Sequence, residues 1–318
     1  MSTQLGSPEP QMPLAADPLT RYLLATRPLF LTVTFVGSLI GLGAVAADDI
    51  AINSFSAVLS LLFAMVAHAG ANVLNDYFDA LNGTDATNNN RLFPFTGGSR
   101  FIQEGVLTPA QTKTFGYTLL VSVVPPGLWL MAHSASGLFA IGLAGLLIAW
   151  AYSATPLQLM SRGLGEIAVV AGWMMVTLGT DYVQRGSFAL LPVIAGVPFA
   201  LLVAAILYLN QFPDVAADTG AGKRTLVVRL GSRYARWGYL AFILAAYLWL
   251  GTAVIVKALP MLCVVSLLTA PLSFFAFRIV LKHADDPLRL LPAIKGTIAA
   301  ANIHGLLMAA TLVASRTF

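Results

Sequence analysis

The stretch NQFPDVAADTGAGKRTLVVRLG, Asn210 to Gly231, follows directly on the apolar run ALLVAAILYL of residues 200–209. Asn210, Asp214 and Asp218 recur every four residues, so a helix stacks all three on one face. Gly220 and Gly222 then loosen the chain beside Lys223 and Arg224. Two carboxylates and an amide next to a basic pair point to a divalent metal with a diphosphate. A second cluster lies far upstream, in NVLNDYFDALNGTD (72–85). Asn72, Asp76 and Asp79 there fall at steps of four and three, within about 60° of one another on a helix. Asn75 lies on the same broad face, Gly83 is placed to end the helix, and Asp85 follows in the loop. Each cluster reads as a long apolar helix, then Asn-x-x-x-Asp, then another Asp, then glycine, which suggests an internal repeat. The rest of the chain is expected to bring the two clusters together.

Composition decides the setting. Of 318 residues, 58% are hydrophobic and only 10% charged, with a mean hydropathy of +0.79. A soluble domain carries about a quarter charged residues, so this is an integral, multi-span membrane protein, and a soluble all-helical prenyl synthase is excluded. A formal charge of +4 gives no reason to expect a nucleic-acid partner. The single cysteine, Cys263, rules out an intramolecular disulfide and reads as a packed thiol.

The fold class expected is an all-α membrane protein, about nine transmembrane helices around a central cavity. The apolar runs are 28–47, 54–75, 114–132, 136–153, 165–182, 189–210, 237–256, 260–281 and 293–313. Each is near the roughly 20 residues that cross a bilayer. They must be helices, because lipid offers no partner to unpaired backbone groups. Residues 1–20 are polar, contain proline and lack an apolar run after a basic start, so they read as a mobile cytoplasmic tail rather than a cleaved signal peptide. Residues 21–318 then form one nine-helix domain. Lysine and arginine number 15 on one set of connections against three (Arg185, Lys257, Arg316) on the other. That bias places the tail and both acidic clusters on the cytoplasmic side.

Five acids (Asp76, Asp79, Asp85, Asp214 and Asp218) gathered near a membrane repel one another unless protons or a cation join them. Hard oxygen ligands favour Mg²⁺. Histidine and cysteine ligands are missing, and His68, one turn before Asn72, reads as a core histidine, so zinc is not expected. Lys223 and Arg224 are either an ordinary membrane anchor or a phosphate clamp. Arg91 and Arg100 bracket RLFPFTGGSR, which is either a phosphate-approaching loop or a plain surface loop. Tyr152, in AYSATPLQLMSRG, either faces a developing carbocation or sits at the interface. Glu166 has no evident partner.

At these residues the chain resembles the UbiA superfamily of intramembrane aromatic prenyltransferases, over about residues 20–313. The most specific parts are NVLNDYFDALNGTD, YSATPL (152–157) and the stretch from Asn210 to Gly231. It looks most like the branch that prenylates 1,4-dihydroxy-2-naphthoate in menaquinone biosynthesis. The resemblance implies a central cavity opening towards lipid, in a bacterial-type inner membrane, with the site facing the cytoplasm. It implies Mg²⁺ held by Asp76, Asp79, Asp214 and Asp218, and an isoprenyl diphosphate and an aromatic acceptor as substrates. Lys223 joins those acids as a catalytic group. Asn72, Asn75, Asp85, Arg91, Arg100, Tyr152, Asn210 and Arg224 are the expected substrate contacts. Two departures stand out. The superfamily's commoner first motif has its last aspartate where Gly83 stands, and Gln211-Phe212-Pro213 replaces a more polar stretch. Other acceptors (4-hydroxybenzoate, homogentisate, a tetrapyrrole, a glycerol phosphate) and, from another class, a secondary transporter are the alternative readings.

Overall fold

The structure, a computed structural model, describes residues 17–88 and 90–317. Residues 1–16 of the expected tail lie outside the described residues. Helix α1 (Pro18–Ala25) takes up the last three residues of the expected 1–20 tail and is capped by Asp17, whose carboxylate accepts from the Thr20 amide at 3.0 Å.

Every apolar run is helical. In order come α2 (Pro28–Ala47), α3 (Ser54–Asn82), the single turn α4 (Thr84–Thr87), α5 (Pro109–Ser122), α6 (Val124–His133), α7 (Leu138–Ala151), α8 (Gly165–Arg185) and α9 (Leu191–Gly220). After the short α10 (Leu226–Leu230) follow α11 (Ser232–Ile255), α12 (Ala270–His283), which continues a 3-10 run over Met261–Thr269, and α13 (Leu291–Ala314). Among the described residues, seven helical segments are long and apolar enough to cross a membrane, α5 and α6 counting as one. Two of the nine expected spans fall short. Helix α7 has only 14 residues, and the 21 residues of α8 include Glu166, Asp181 and Arg185.

Helices α3 and α9 are the longest, at 29 and 30 residues. At 1.5 Å per residue each spans about 45 Å, against about 30 Å of hydrocarbon. Their last turns therefore run beyond the apolar layer, and those turns carry the two acid motifs. Asn53 caps the start of α3 by accepting from the Ser56 amide at 3.0 Å, and Gly83, at φ +83°, ends it.

Helix α9 lies at the centre, flanked by α8 and α11, with Phe199, Leu202, Tyr208 and Leu209 fully buried. Helix α13 runs along α2, and α2 packs on α8. Hydrophobic burial cannot drive helices together in lipid, so close backbone approach has to. Gly37 and Gly41, one turn apart on α2, provide it. A Cβ on Gly41 would stand 2.4 Å from the Thr177 carbonyl oxygen, and the Thr177 hydroxyl donates to the Gly37 carbonyl at 3.2 Å. Exposed apolar side chains such as Leu248, Ile255 and Leu268 face outward, as a lipid-contacting surface requires.

At the end opposite the acid motifs, Arg185 binds Asp48 at 2.7 Å and Asp181 at 2.9 Å, and Arg316 binds Asp49. Two of the three basic residues counted on that side are thus neutralised locally.

Gly41→Ala is expected to lower the melting temperature in detergent by several degrees, because the Thr177 carbonyl is backbone and cannot move aside. Gly251→Ala, where an added Cβ meets nothing within 4 Å, is the control and should leave it unchanged or slightly raised. Equal melting curves for the two variants would refute the α2–α8 contact.

Candidate active site

The ends of α3 and α9 converge. On α3, Asp79 Oδ1 accepts an ion pair from Lys223 Nζ at 2.7 Å. The same ammonium reaches Asp218 Oδ1 of α9 at 3.5 Å. Lys223 is only 3% exposed, so this is a buried bridge between the two motifs. Its position follows from the end of α9: the helix stops at Gly220, Gly222 takes φ +75°, and the Lys223 amide donates to the Asp218 carbonyl at 2.8 Å. Burial opposes the charged ammonium, but Asp79, Asp218 and Asp85 outweigh it, and the Lys223 pKa is raised. The other members are held by amides. Asn75 Nδ2 donates to Asp79 Oδ2 at 3.2 Å and to Ser153 Oγ at 3.1 Å, and Asn88 Nδ2 donates to Asp214 Oδ1 at 2.6 Å.

The loop RLFPFTGGSR folds into the site rather than over the surface. The Ser99 amide donates to Asp76 Oδ2 at 3.1 Å. Gly97 and Gly98 both have positive φ, +71° and +67°. A Cβ on Gly98 would stand 2.8 Å from Asp85 Oδ2 and 2.9 Å from Asp76 Oδ1. Those two oxygens are buried and, among the described residues, have no hydrogen-bond partner. Arg27 Nη1 stands 4.0 Å from Asp76 Oδ1. Burial, with the charges of Asp79 and Asp76, pushes the Asp85 carboxyl up to about 9.

This donor set fits a hard divalent cation: two orphaned carboxylate oxygens face one gap that a side chain would fill. No three acidic, histidine or cysteine side chains converge on one point among the described residues. An ion here would therefore complete its shell from a ligand's oxygens, as Mg²⁺ does with phosphates.

Above the acids opens an elongated cavity of about 550 Å³, walled mainly by apolar residues of α3, α6, α7 and α8. Of the expected site residues, Asn72, Asn75, Asp79, Asp85, Tyr152, Asn210, Asp214, Asp218 and Lys223 line it. Asp76 lies just behind, held by the loop. The three expected arginine contacts do not line it. Arg224 is exposed; its amide donates to the Ser161 carbonyl, and its own carbonyl accepts from Arg229. Once α9 has ended, consecutive residues diverge, so Lys223 turns in and Arg224 out. Arg91 turns back on its own loop, with Nη1 near the Gly97 and Gly98 carbonyls at 3.4 and 3.5 Å. Arg100, at φ +59°, is also outside the cavity wall.

Arg27 is the cation that composition alone did not single out. It stands at φ +57° between α1 and α2, lines the cavity, and also donates to the Phe95 carbonyl at 3.5 Å. Its signal was its place just before Pro28, where the proline ring disfavours a right-handed helical residue and so favours a break between helices. Asn88 was missed because it lies between the motifs. Glu166 finds its partner in Gln211, whose amide nitrogen donates to it while its oxygen accepts from the Val227 amide at 3.2 Å.

Lys223→Met should destabilise the protein by about 3 kcal/mol, because it strands two buried carboxylates. Adding Asp79→Asn should restore part of the loss, measured by melting in detergent. In divalent-free buffer, stability should fall as pH rises from about 4 towards 9, since the folded state holds the Asp85 proton that the unfolded chain has released. Asp85→Asn should flatten that slope, and an unchanged slope would contradict the buried placement of Asp85.

Comparison with known proteins agrees with this architecture. Residues 32–313 match the model of the UbiA prenyltransferase family. The chain is 31% identical to the 1,4-dihydroxy-2-naphthoate octaprenyltransferase of Mycobacterium tuberculosis over 81% of this chain and 85% of that one. Against the enzyme of the same name from Escherichia coli the identity is 28%, covering 90% and 92%. A solved UbiA homologue from Archaeoglobus fulgidus, bound to GPP and Mg²⁺, superposes with a TM-score of 0.66 at 17% identity over 94% of this chain and all of that one. The secondary-transporter reading is thereby set aside: the chain belongs to the UbiA prenyltransferase family and is a prenyltransferase.

Proposed function

We propose that the protein transfers an isoprenyl group from an isoprenyl diphosphate to 1,4-dihydroxy-2-naphthoate, in a Mg²⁺-dependent reaction, at the cytoplasmic face of a bacterial inner membrane. The reading also takes α7 and α8 as spans, giving nine. One observation carries it: Lys223 draws two aspartate motifs together at the polar end of a long apolar cavity. A diphosphate needs cations and a prenyl tail needs a dry channel, and here the two adjoin.

Asp76 and Asp85 would hold the cation on the α3 side, with Asp214 and Asp218 opposite, and the bound ion would supply neutralising charge to the leaving diphosphate. Lys223 and Arg27 supply fixed positive charge to the same end. The allylic C–O bond breaks with its electron pair leaving on the diphosphate. A ring carbon of the acceptor forms the new C–C bond with a π pair. In the naphthoate, loss of the ring carboxylate as CO₂ restores aromaticity. The apolar walls exclude water, which would otherwise capture the cation-like carbon. Tyr152, on the cavity wall, can turn its π face to that carbon.

The test uses membranes bearing the protein, a radiolabelled isoprenyl diphosphate and a panel of aromatic acceptors, with Mg²⁺ or EDTA. Label should enter a new lipid only with Mg²⁺ and dihydroxynaphthoate. Asp76→Asn and Asp214→Asn should each cut kcat at least about 100-fold in folded protein. Transfer to another acceptor would overturn the naphthoate assignment, and near-normal turnover in either variant would overturn the role of the two motifs.

A further inference from the structure

The surface behind Lys223 carries a group of cations that the cavity does not use. Arg162 ends the 3-10 turn Leu159–Arg162 that leads into α8. Arg224 precedes α10, and Arg229 lies in its last turn. All three are exposed. Hydrogen bonds sew their two segments together. The Arg224 amide donates to the Ser161 carbonyl at 2.8 Å, and Arg229 Nη2 donates to the Arg162 carbonyl at 2.8 Å. Arg229 Nε donates to the Arg224 carbonyl, also at 2.8 Å. Gly163, at φ +70°, lies in the middle: a Cβ there would stand 2.9 Å from Arg229 Nε and 3.2 Å from the Arg224 carbonyl oxygen.

Three arginines from two segments therefore share one small patch without a counter-charge. Among the described residues none of them pairs with a carboxylate. Glu166, four residues from Arg162, is buried and takes a hydrogen bond from Gln211 instead. Elsewhere on this side arginines are balanced: Arg236 pairs with Asp285 at 3.5 Å and Arg289 with Asp286 at 3.0 Å. Arg162 and Arg229 spend part of their donors on carbonyls, Arg162 Nη2 on Pro156 at 2.6 Å. The Arg224 guanidinium has no partner among the described residues. Helix α8 begins three residues past Arg162 with no side-chain cap, so the positive end of its dipole adds to the same face. Like charges held this close repel, and an anion relieves them.

The neighbours of the patch indicate which anion. Leu164, Ile167 and Leu230 adjoin the arginines in sequence and are 41%, 66% and 46% exposed. The last turns of α9 leave the apolar layer just before Arg224, so the patch stands at headgroup depth. A soluble phosphate would match the arginines and leave those apolar side chains bare. A phospholipid satisfies both, with its phosphate on the arginines and its acyl chains over the leucines and isoleucine.

We propose that Arg162, Arg224 and Arg229 form a docking site for the headgroup of an anionic phospholipid of the surrounding membrane. Bound there, the headgroup clamps from outside the segment that carries Lys223, which Gln211 holds from inside through the Val227 amide. The inference goes beyond the prenyltransfer reading and does not depend on it.

The experiment follows melting of the detergent-solubilised protein during titration with phosphatidylglycerol, with phosphatidylcholine of the same acyl chains, or with inorganic phosphate. Phosphatidylglycerol should raise the melting temperature saturably, and the other two should not. Arg224→Gln, which breaks no side-chain bond within the protein, should weaken the apparent affinity for phosphatidylglycerol about fivefold, and Arg162→Gln with Arg224→Gln about thirtyfold. Arg224→Lys should keep most of the affinity, and Arg289→Gln, at an arginine already paired, should leave it within about twofold. Native mass spectrometry should show fewer phosphatidylglycerol molecules retained by the double variant. Equal stabilisation by phosphatidylcholine, or by inorganic phosphate, overturns the proposal. So does an unchanged phosphatidylglycerol affinity in Arg224→Gln and in the double variant.

Discussion

Two carboxylate motifs on separate helices can share one end of a membrane cavity only if protons or a cation offset their charge, and Lys223 stands between them at 2.7 Å from Asp79 and 3.5 Å from Asp218. In a medium of low dielectric the repulsion of the bare acids would be several-fold stronger than in water. Much of the surrounding structure serves that placement. Gly222 turns the chain back after α9, and Gln211 fastens the start of α10 through the Val227 amide while holding buried Glu166. The path of the 221–227 segment is thus tied to the wall of the cavity, and the polar end and the channel are mechanically one unit.

The loop at 91–100 solves the complementary problem of making room. Gly98 lies against Asp76 and Asp85 where any side chain would collide with a carboxylate oxygen, and a side chain on Gly97 would collide with Asn88 and Arg91. The backbone also contributes a hydrogen-bond donor: the Ser99 N–H is used by Asp76. This loop therefore shapes the acid end first of all, and its two arginines face their own backbone or lie outside the cavity wall. Positive charge inside the cavity comes from Lys223 and Arg27, which are far apart in the chain.

The helices were legible because apolar runs of this length have no other way to satisfy their backbone in lipid. So was the convergence of the two motifs, since similar Asn-x-x-x-Asp patterns at the ends of two overlong helices point to a shared partner. Side-chain direction beyond a helix end was not legible. Lys223 and Arg224 are neighbours in sequence and part company because α9 stops at Gly220. Long-range pairs were equally hidden: Gln211 meets Glu166 across 45 positions, and Asn88 meets Asp214 across 126. Counting basic residues by side likewise reported an asymmetry of number but not that Arg185 and Arg316 are locally paired with acids.

The departure at the first motif shows how local geometry can repair a displaced residue. A continued α3 would carry position 83 onto the face of Asp76 and Asp79, and there the sequence has glycine. At φ +83° that glycine instead ends the helix, and the single turn of α4 swings Asp85 back, leaving it 2% exposed. Its Oδ2 then faces the same gap at Gly98 as Asp76 Oδ1. Two extra residues and a left-handed turn thus return a carboxylate to the gap that Asp76 also faces. The spacing of such a motif is constrained by where its oxygens end, and a helix stop can absorb a shift that a continuous helix could not.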